Sequence, residues 1–332
     1  MKKRMFMVGV GIICLFLVGC YGWMKWEKIE FAAWIVDWDS ERGMEEYKKA
    51  KDIFVSSALF GGYFKEDGSL YFPEAVEKMK EELKALKKPM YLTIVNDVFY
   101  DSGKDIQQKD GNFIKALLKD PKKRKDHIEE LVSAVQKGPF VGLELDYERL
   151  DEEAWENYSV FIKELGQILE SKNKKLRIVL EPKSPIEKVD LPLAYDYVMM
   201  AYNLYGYHSG PGPKADKELI KALCNKMKAN VSNRQLAFSL GGFDWVEGEK
   251  PQALTYSEAE ALRIKKRVKA TRDGASGAIW FRYKDEKGHA HEVWYADKIT
   301  LESWVRQAYK EGISRFVIWR LGGNLLSEMS GL

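Results

Sequence analysis

Apolar and polar positions alternate at period two in short runs of this chain and recur at helical spacing in longer ones. The two kinds of run take turns, and each period marks its element, strand or helix. Strand patterns fall at Phe31–Asp39, Ile53–Phe64, Pro89–Asn96, Phe140–Glu148, Leu176–Glu181, Tyr195–Leu204, Gln235–Phe243 and Arg315–Leu321. Helical patterns separate most of them, at Glu41–Lys51, Pro73–Lys87, Asn112–Leu118, Lys125–Gln136, Glu152–Lys172 and Thr300–Glu311. Eight strands with helical connections in roughly 300 residues predict an α/β chain folded as a (β/α)8 TIM barrel. Between strands seven and eight the pattern departs. Tyr256–Val268 is helical, and Gly277–Tyr283 and His291–Ala296 flank an Asp-Glu-Lys-Gly turn. A small α+β insertion is expected there, over about 250–297, within a barrel domain of 31–332. A doubly wound open sheet is the alternative, but no glycine-rich phosphate loop follows the first strand.

The fourth strand, Phe140-Val-Gly-Leu-Glu-Leu-Asp-Tyr-Glu148, is the informative one. Alternation puts Val141, Leu143, Leu145 and Tyr147 on one face and Gly142, Glu144, Asp146 and Glu148 on the other. Three carboxylates thus follow one another about 7 Å apart. On an edge strand they would form a solvated acidic face. The helix that follows at once argues for a parallel sheet covered by helices, where an acidic row is costly and self-repelling. Acids at the C-terminal end of a barrel strand sit where barrel enzymes keep their chemistry.

Composition changes the picture mainly at the amino terminus. The formal charge of +3 includes Lys2, Lys3 and Arg4, and residues 1–19 hold no acid. Without them the 53 basic and 50 acidic residues balance, which removes the electrostatic case for nucleic acid. The apolar run Met5–Val18 is short for a spanning helix and right for a secretory signal. Leu17-Val18-Gly19-Cys20 resembles the lipobox of bacterial lipoproteins. That resemblance implies removal of 1–19, diacylation of Cys20 and a short tether over 20–30. Two acyl chains suffice for stable anchoring, so the expected place is the outer face of the bacterial membrane. Cys224 is then the one free thiol and no disulfide framework is possible. The spacing of four histidines and three cysteines suggests no metal site, and no cofactor is expected.

Val-Gly-Leu-Glu-Leu-Asp-Tyr-Glu resembles the strand-four signature of glycoside hydrolase family 18, D-x-x-D-x-D-x-E. The chain keeps the last two acids, Asp146 and Glu148, and has Val141 and Glu144 at the first two. Met200-Ala-Tyr-Asn203 resembles the family's Met-x-Tyr-Asp, and Trp319 its tryptophan floor. Tyr207-His-Ser-Gly-Pro-Gly-Pro213, Val293–Asp297 and Ile318–Gly322 look most like the spore-cortex branch. The resemblance implies substrate-assisted hydrolysis of glycans with β-linked N-acetylglucosamine by a monomer. Glu148 would be the general acid and base, with Asp146 and Tyr202 holding the 2-acetamido group. Glu144, Trp319, Asn203, Met200, Trp38 and Glu181 are expected to meet the substrate. Trp34, Phe60, Tyr63, Tyr205, Trp245 and Trp280 are further aromatics near strand ends or in the insertion, and Asp37 is a further acid. The competing reading is a non-catalytic, lectin-like surface lipoprotein on the same fold.

Overall fold

The computed structural model describes residues 28–100 and 105–324. Eight strands, β1 Glu30–Val36, β2 Phe54–Lys65, β3 Met90–Tyr100, β4 Gly142–Asp146, β5 Lys175–Leu180, β6 Asp196–Met200, β7 Asn233–Ser239 and β8 Arg315–Trp319, pair in parallel and in chain order. β8 returns to β1, with Phe31 opposite Phe316, and closes the barrel. All strand N-termini therefore lie at one end and all C-termini at the other.

Period two divides the apolar residues into two cores. Ala32, Trp34, Ala58, Val198, Ala237 and Val317 fill the barrel interior together with larger side chains such as Tyr91. Ala33, Ile35, Leu143, Leu145 and Tyr147 point outward under the helices. The helix Glu152–Ser171 shows how the outer layer forms. Asp151 caps it by accepting a hydrogen bond from the Ala154 N–H at 2.8 Å, and Trp155, Tyr158, Ile162, Leu165 and Leu169 make its buried stripe.

Three expectations change. The helix Lys217–Asn230 between β6 and β7 buries Ile220, Leu223, Cys224 and Met227, a stripe masked in the sequence by the lysines around it. The expected fourth strand is shorter at both ends. Val141 precedes it and packs with the interior cluster, not with Leu143, while Tyr147 and Glu148 follow it.

The expected strand Gln235–Phe243 is two strands. β7 stops at Ser239, and Gly241–Val246 leaves the barrel to pair antiparallel with Ala290–Ala296. The small sheet it joins orders Gln252–Leu254, Gly241–Val246, Ala290–Ala296, Ile279–Lys284 and Thr271–Arg272. The helix Tyr256–Lys266 covers one face through Ala259, against Phe281, Val293 and Tyr295. The inserted sheet thus begins near Gly241. Gly241 has φ +72°, and a Cβ on Gly242 would stand 1.7 Å from the Trp294 carbonyl oxygen, so neither position has room for a side chain.

Candidate active site

Glu144 and Asp146 both point into the barrel, one period apart on β4, and their surroundings differ sharply. Glu144 is fully buried. Its Oε1 accepts from the Trp34 indole and from Thr93 Oγ1 at 2.7 Å, and its Oε2 accepts from Arg177 Nε on β5. The Arg177 guanidinium in turn lies 4.2 Å from the Tyr91 ring centre. Asp146, one layer higher, reaches a cleft at the C-terminal mouth. Its Oδ2 accepts from Lys109 Nζ at 2.7 Å, while its buried Oδ1 has no hydrogen-bond partner.

Glu148 stands just past the strand, where backbone pairing has ended. Asn96 on β3 replaces that pairing: its amide donates to the Glu148 carbonyl at 2.9 Å, and its oxygen accepts the Glu148 N–H at 3.0 Å. One residue on, Glu181 accepts the Arg149 N–H at 2.8 Å, at a left-handed φ of +57°. These contacts hold the Glu148 side chain at the rim, with Oε1 2.6 Å from Lys109 Nζ. Tyr202 and Asn203 follow β6 and line the same cleft. Asn203 has φ +60°, a backbone state that asparagine adopts more readily than most residues.

The cleft has a volume of about 250 Å³. Trp319, at the end of β8, forms its floor, held edge-on by Phe60 at 5.0 Å and by Trp34 at 5.7 Å between ring centres. Trp38, on the turn Asp37–Asp39, is 56% exposed and packs edge-on against Phe60 at 5.6 Å. A large exposed indole beside a shielded one offers two apolar faces to a ring.

The charges follow from burial. Loss of water raises the Asp146 carboxyl above the usual range; Lys109 opposes that rise, and Glu148 and Glu144 add to it. Burial, with Asp146 and Glu148 nearby, keeps the Tyr202 phenol protonated well above its ordinary pKa. Tyr202 is therefore a hydrogen-bond donor at neutral pH.

The structure brings Asp146, Glu148, Tyr202, Asn203, Met200, Trp38 and Trp319 to one cleft. Glu144 and Glu181 were expected to touch substrate and do not line it. Glu144 is covered and fully occupied by Trp34, Thr93 and Arg177, and Glu181 sits beside the cleft holding the Arg149 backbone. Of the further aromatics, Trp34 and Phe60 line the cleft, whereas Tyr63, Tyr205, Trp245 and Trp280 do not. Asp37 receives the Tyr63 hydroxyl. Cys20 lies outside the described residues. Lys109 and Asp97 are cleft residues that the sequence pattern did not single out. They come from the end of β3 and the loop beyond it, and no periodicity points to either.

The profile of Glycosyl hydrolases family 18 matches residues 38–324. The chain belongs to that family. Within family 18 it is similar to the uncharacterized glycosylase YvbX of Bacillus subtilis strain 168, 26% identical over 256 residues and 72% of each chain. It is also 26% identical to the cortical fragment-lytic enzyme of Bacillus cereus over 289 residues, 80% of this chain and 64% of that enzyme. The barrel and its insertion resemble the crystal structure of the Bacillus cereus spore cortex-lytic enzyme SleL. That match has a TM-score of 0.78 at 21% identity and covers 91% of this chain and 73% of that one. The chitinase of Chromobacterium violaceum matches with a TM-score of 0.77 at 16% identity, over 92% of this chain and 100% of the other. The two likenesses show a shared fold.

Proposed function

We propose that this family 18 chain is a retaining glycosidase acting on glycans with β-linked N-acetylglucosamine, peptidoglycan or chitin-like, with the substrate's own 2-acetamido group as nucleophile. The observation that carries this reading is the grouping in one cleft of Asp146 Oδ1, a buried acceptor without a partner, the Glu148 carboxyl, the Tyr202 phenol and the Trp319 indole. A buried acceptor without a partner costs roughly 1–3 kcal/mol, and an acetamido N–H would satisfy it.

In the first step Glu148 gives its proton to the glycosidic oxygen as the bond from the anomeric carbon breaks. The acetamido oxygen attacks that carbon and closes an oxazolinium ring. Asp146 accepts the N–H and offsets the positive charge, while Tyr202 donates to the acetamido oxygen. In the second step Glu148, now a carboxylate, takes a proton from water. The water oxygen attacks the anomeric carbon, the ring reopens, and configuration is retained. Proximity of an internal nucleophile is worth an effective concentration of about 10⁵–10⁸ M.

The test is Glu148→Gln, which keeps shape and removes the transferable proton. Products from purified peptidoglycan and chitooligosaccharides are identified by mass spectrometry. Loss of about 10²–10⁴-fold in rate with sugar binding retained is expected. A variant keeping more than about a tenth of the rate overturns the assignment of the acid. A wild-type protein that binds these glycans and cleaves none supports the lectin-like reading instead. Cell-surface anchoring through Cys20 is part of the proposal and rests on the lipobox resemblance.

A further inference from the structure

We propose that Lys109 is a positioning residue that clamps Asp146 and Glu148 together and thereby sets the upper pH limit of the reaction. This inference rests on the glycosidase reading above. Among the described residues that line the cleft, Lys109 is the only cation. Its Nζ stands 2.7 Å from Asp146 Oδ2 and 2.6 Å from Glu148 Oε1, bridging the two groups to which the mechanism assigns opposite needs. The acid must hold a proton before it can act, yet a neighbouring ammonium favours the ionised carboxylate.

Lys109 is built into place. Its φ is +54°, and Asp97 Oδ1 accepts its N–H at 2.9 Å. The next N–H, of Asp110, donates to the Asn96 carbonyl at 2.8 Å, and Asn96 is the residue that grips the Glu148 backbone. Asp110 then caps the helix Gly111–Lys119. A Cβ on Gly111 would lie 2.0 Å from the Arg149 carbonyl oxygen, so the lysine's loop and the acid's loop are in direct contact. One framework thus fixes both ends of the bridge. The ammonium also stands over an aromatic face, with Nζ 5.5 Å from the Phe60 ring centre.

Other charged groups surround the acid pair without touching it. Glu144 is neutralised by Arg177, and the Arg149 guanidinium donates to the Gln108 carbonyl at 3.2 Å while its backbone N–H goes to Glu181. Asp97 on β3, Glu181 after β5 and Asp37 after β1 are acidic, and Tyr202 after β6 is neutral. Lys109 is the group that counters them, and although burial opposes its charge, Asp146, Glu148 and Asp97 hold its own pKa above the ordinary lysine value. Among the described residues that line the cleft, no other cation touches the two carboxylates.

The experiment compares wild type, Lys109→Met, which keeps the stem, and Lys109→Arg, which keeps the charge. In kcat/KM against pH, the alkaline limb of Lys109→Met is expected to move up by about one pH unit or more, and that of Lys109→Arg to stay near wild type. Carboxyl carbon NMR titration of Asp146 and Glu148 in the ligand-free protein gives a readout independent of turnover. Both titrations should rise in Lys109→Met. In wild type, the Lys109 Nζ signal should move over the pH range in which the two carboxyls titrate. Unshifted carboxyl titrations in a folded Lys109→Met, or a flat wild-type Nζ signal through that range, overturn the proposal. The wild-type signal decides even where a variant does not fold. Shifted titrations with no hydrolysis of any aminosugar glycan would sink the glycosidase reading and leave the clamp standing.

Discussion

Glu144 has both oxygens taken, by Trp34 and Thr93 on one side and Arg177 on the other, and the pair is sealed from water. Breaking a buried ion pair from one side strands a charge, which costs about 3–5 kcal/mol. Arg177→Met is therefore expected to lower stability by about that much in urea titrations, and adding Glu144→Gln should recover part of the loss. At the rim the effect is on binding. Trp38→Ala removes the exposed indole and is expected to raise KM by about tenfold with kcat changed less, in steady-state assays on chitooligosaccharides. Asn203 has a backbone that aspartate also tolerates, so Asn203→Asp tests charge alone. An added negative charge strengthens proton binding by its neighbours, so the alkaline limb of kcat/KM should move up. Period two placed Glu144 and Asp146 correctly on one face, but it carries no information about depth. One step along the strand, about 7 Å, separates a sealed structural charge from a cleft acid. Lys109 was illegible for a different reason: its position depends on the Asp97 carboxylate, which accepts its N–H, and on the Asn96 carbonyl, which accepts the Asp110 N–H, partners more than ten residues away from a loop without pattern.

At the level of elements, the strand that leaves the barrel is the sharpest test. Gly242 lies against the Trp294 backbone, where added volume has nowhere to go. Gly242→Ala is expected to force Gly241–Val246 away from Ala290–Ala296. Hydrogen exchange should then show lost protection in those two strands, with the β1–β8 amides little changed. The boundary was hidden in the sequence because Leu236, Phe238, Leu240 and Phe243 read as one apolar run. Only Gly241-Gly242 marks the change of sheet, and glycine also occurs inside ordinary strands. By contrast, β2 and the helix Glu152–Ser171 were legible to within a residue, since propensity, capping and burial agree there, whereas the first expected strand overran by three residues because Asp37–Asp39 is a helical turn.

For the whole molecule, the count of alternating segments was enough to predict a barrel, because eight parallel strands under helices have few other ways to bury both faces. The proposed anchoring is tested at this scale. Wild-type protein should fractionate with membranes of its native host, and Cys20→Ser should shift it to the soluble fraction; a wholly soluble wild type ends the idea. The direction of β1 then acquires a geometric meaning. Glu30 enters at the end of the barrel opposite the cleft, and the chain from Cys20 to Glu30 reaches at most about 35 Å. The strand itself adds about 13 Å before the level of Trp319, since Ala33 lies opposite Ile318. With the proposed anchor at one pole and the mouth at the other, the protein would act as a ruler: lipid below, glycan above, and a grazing zone whose depth is set by the spacing between Cys20 and the first strand.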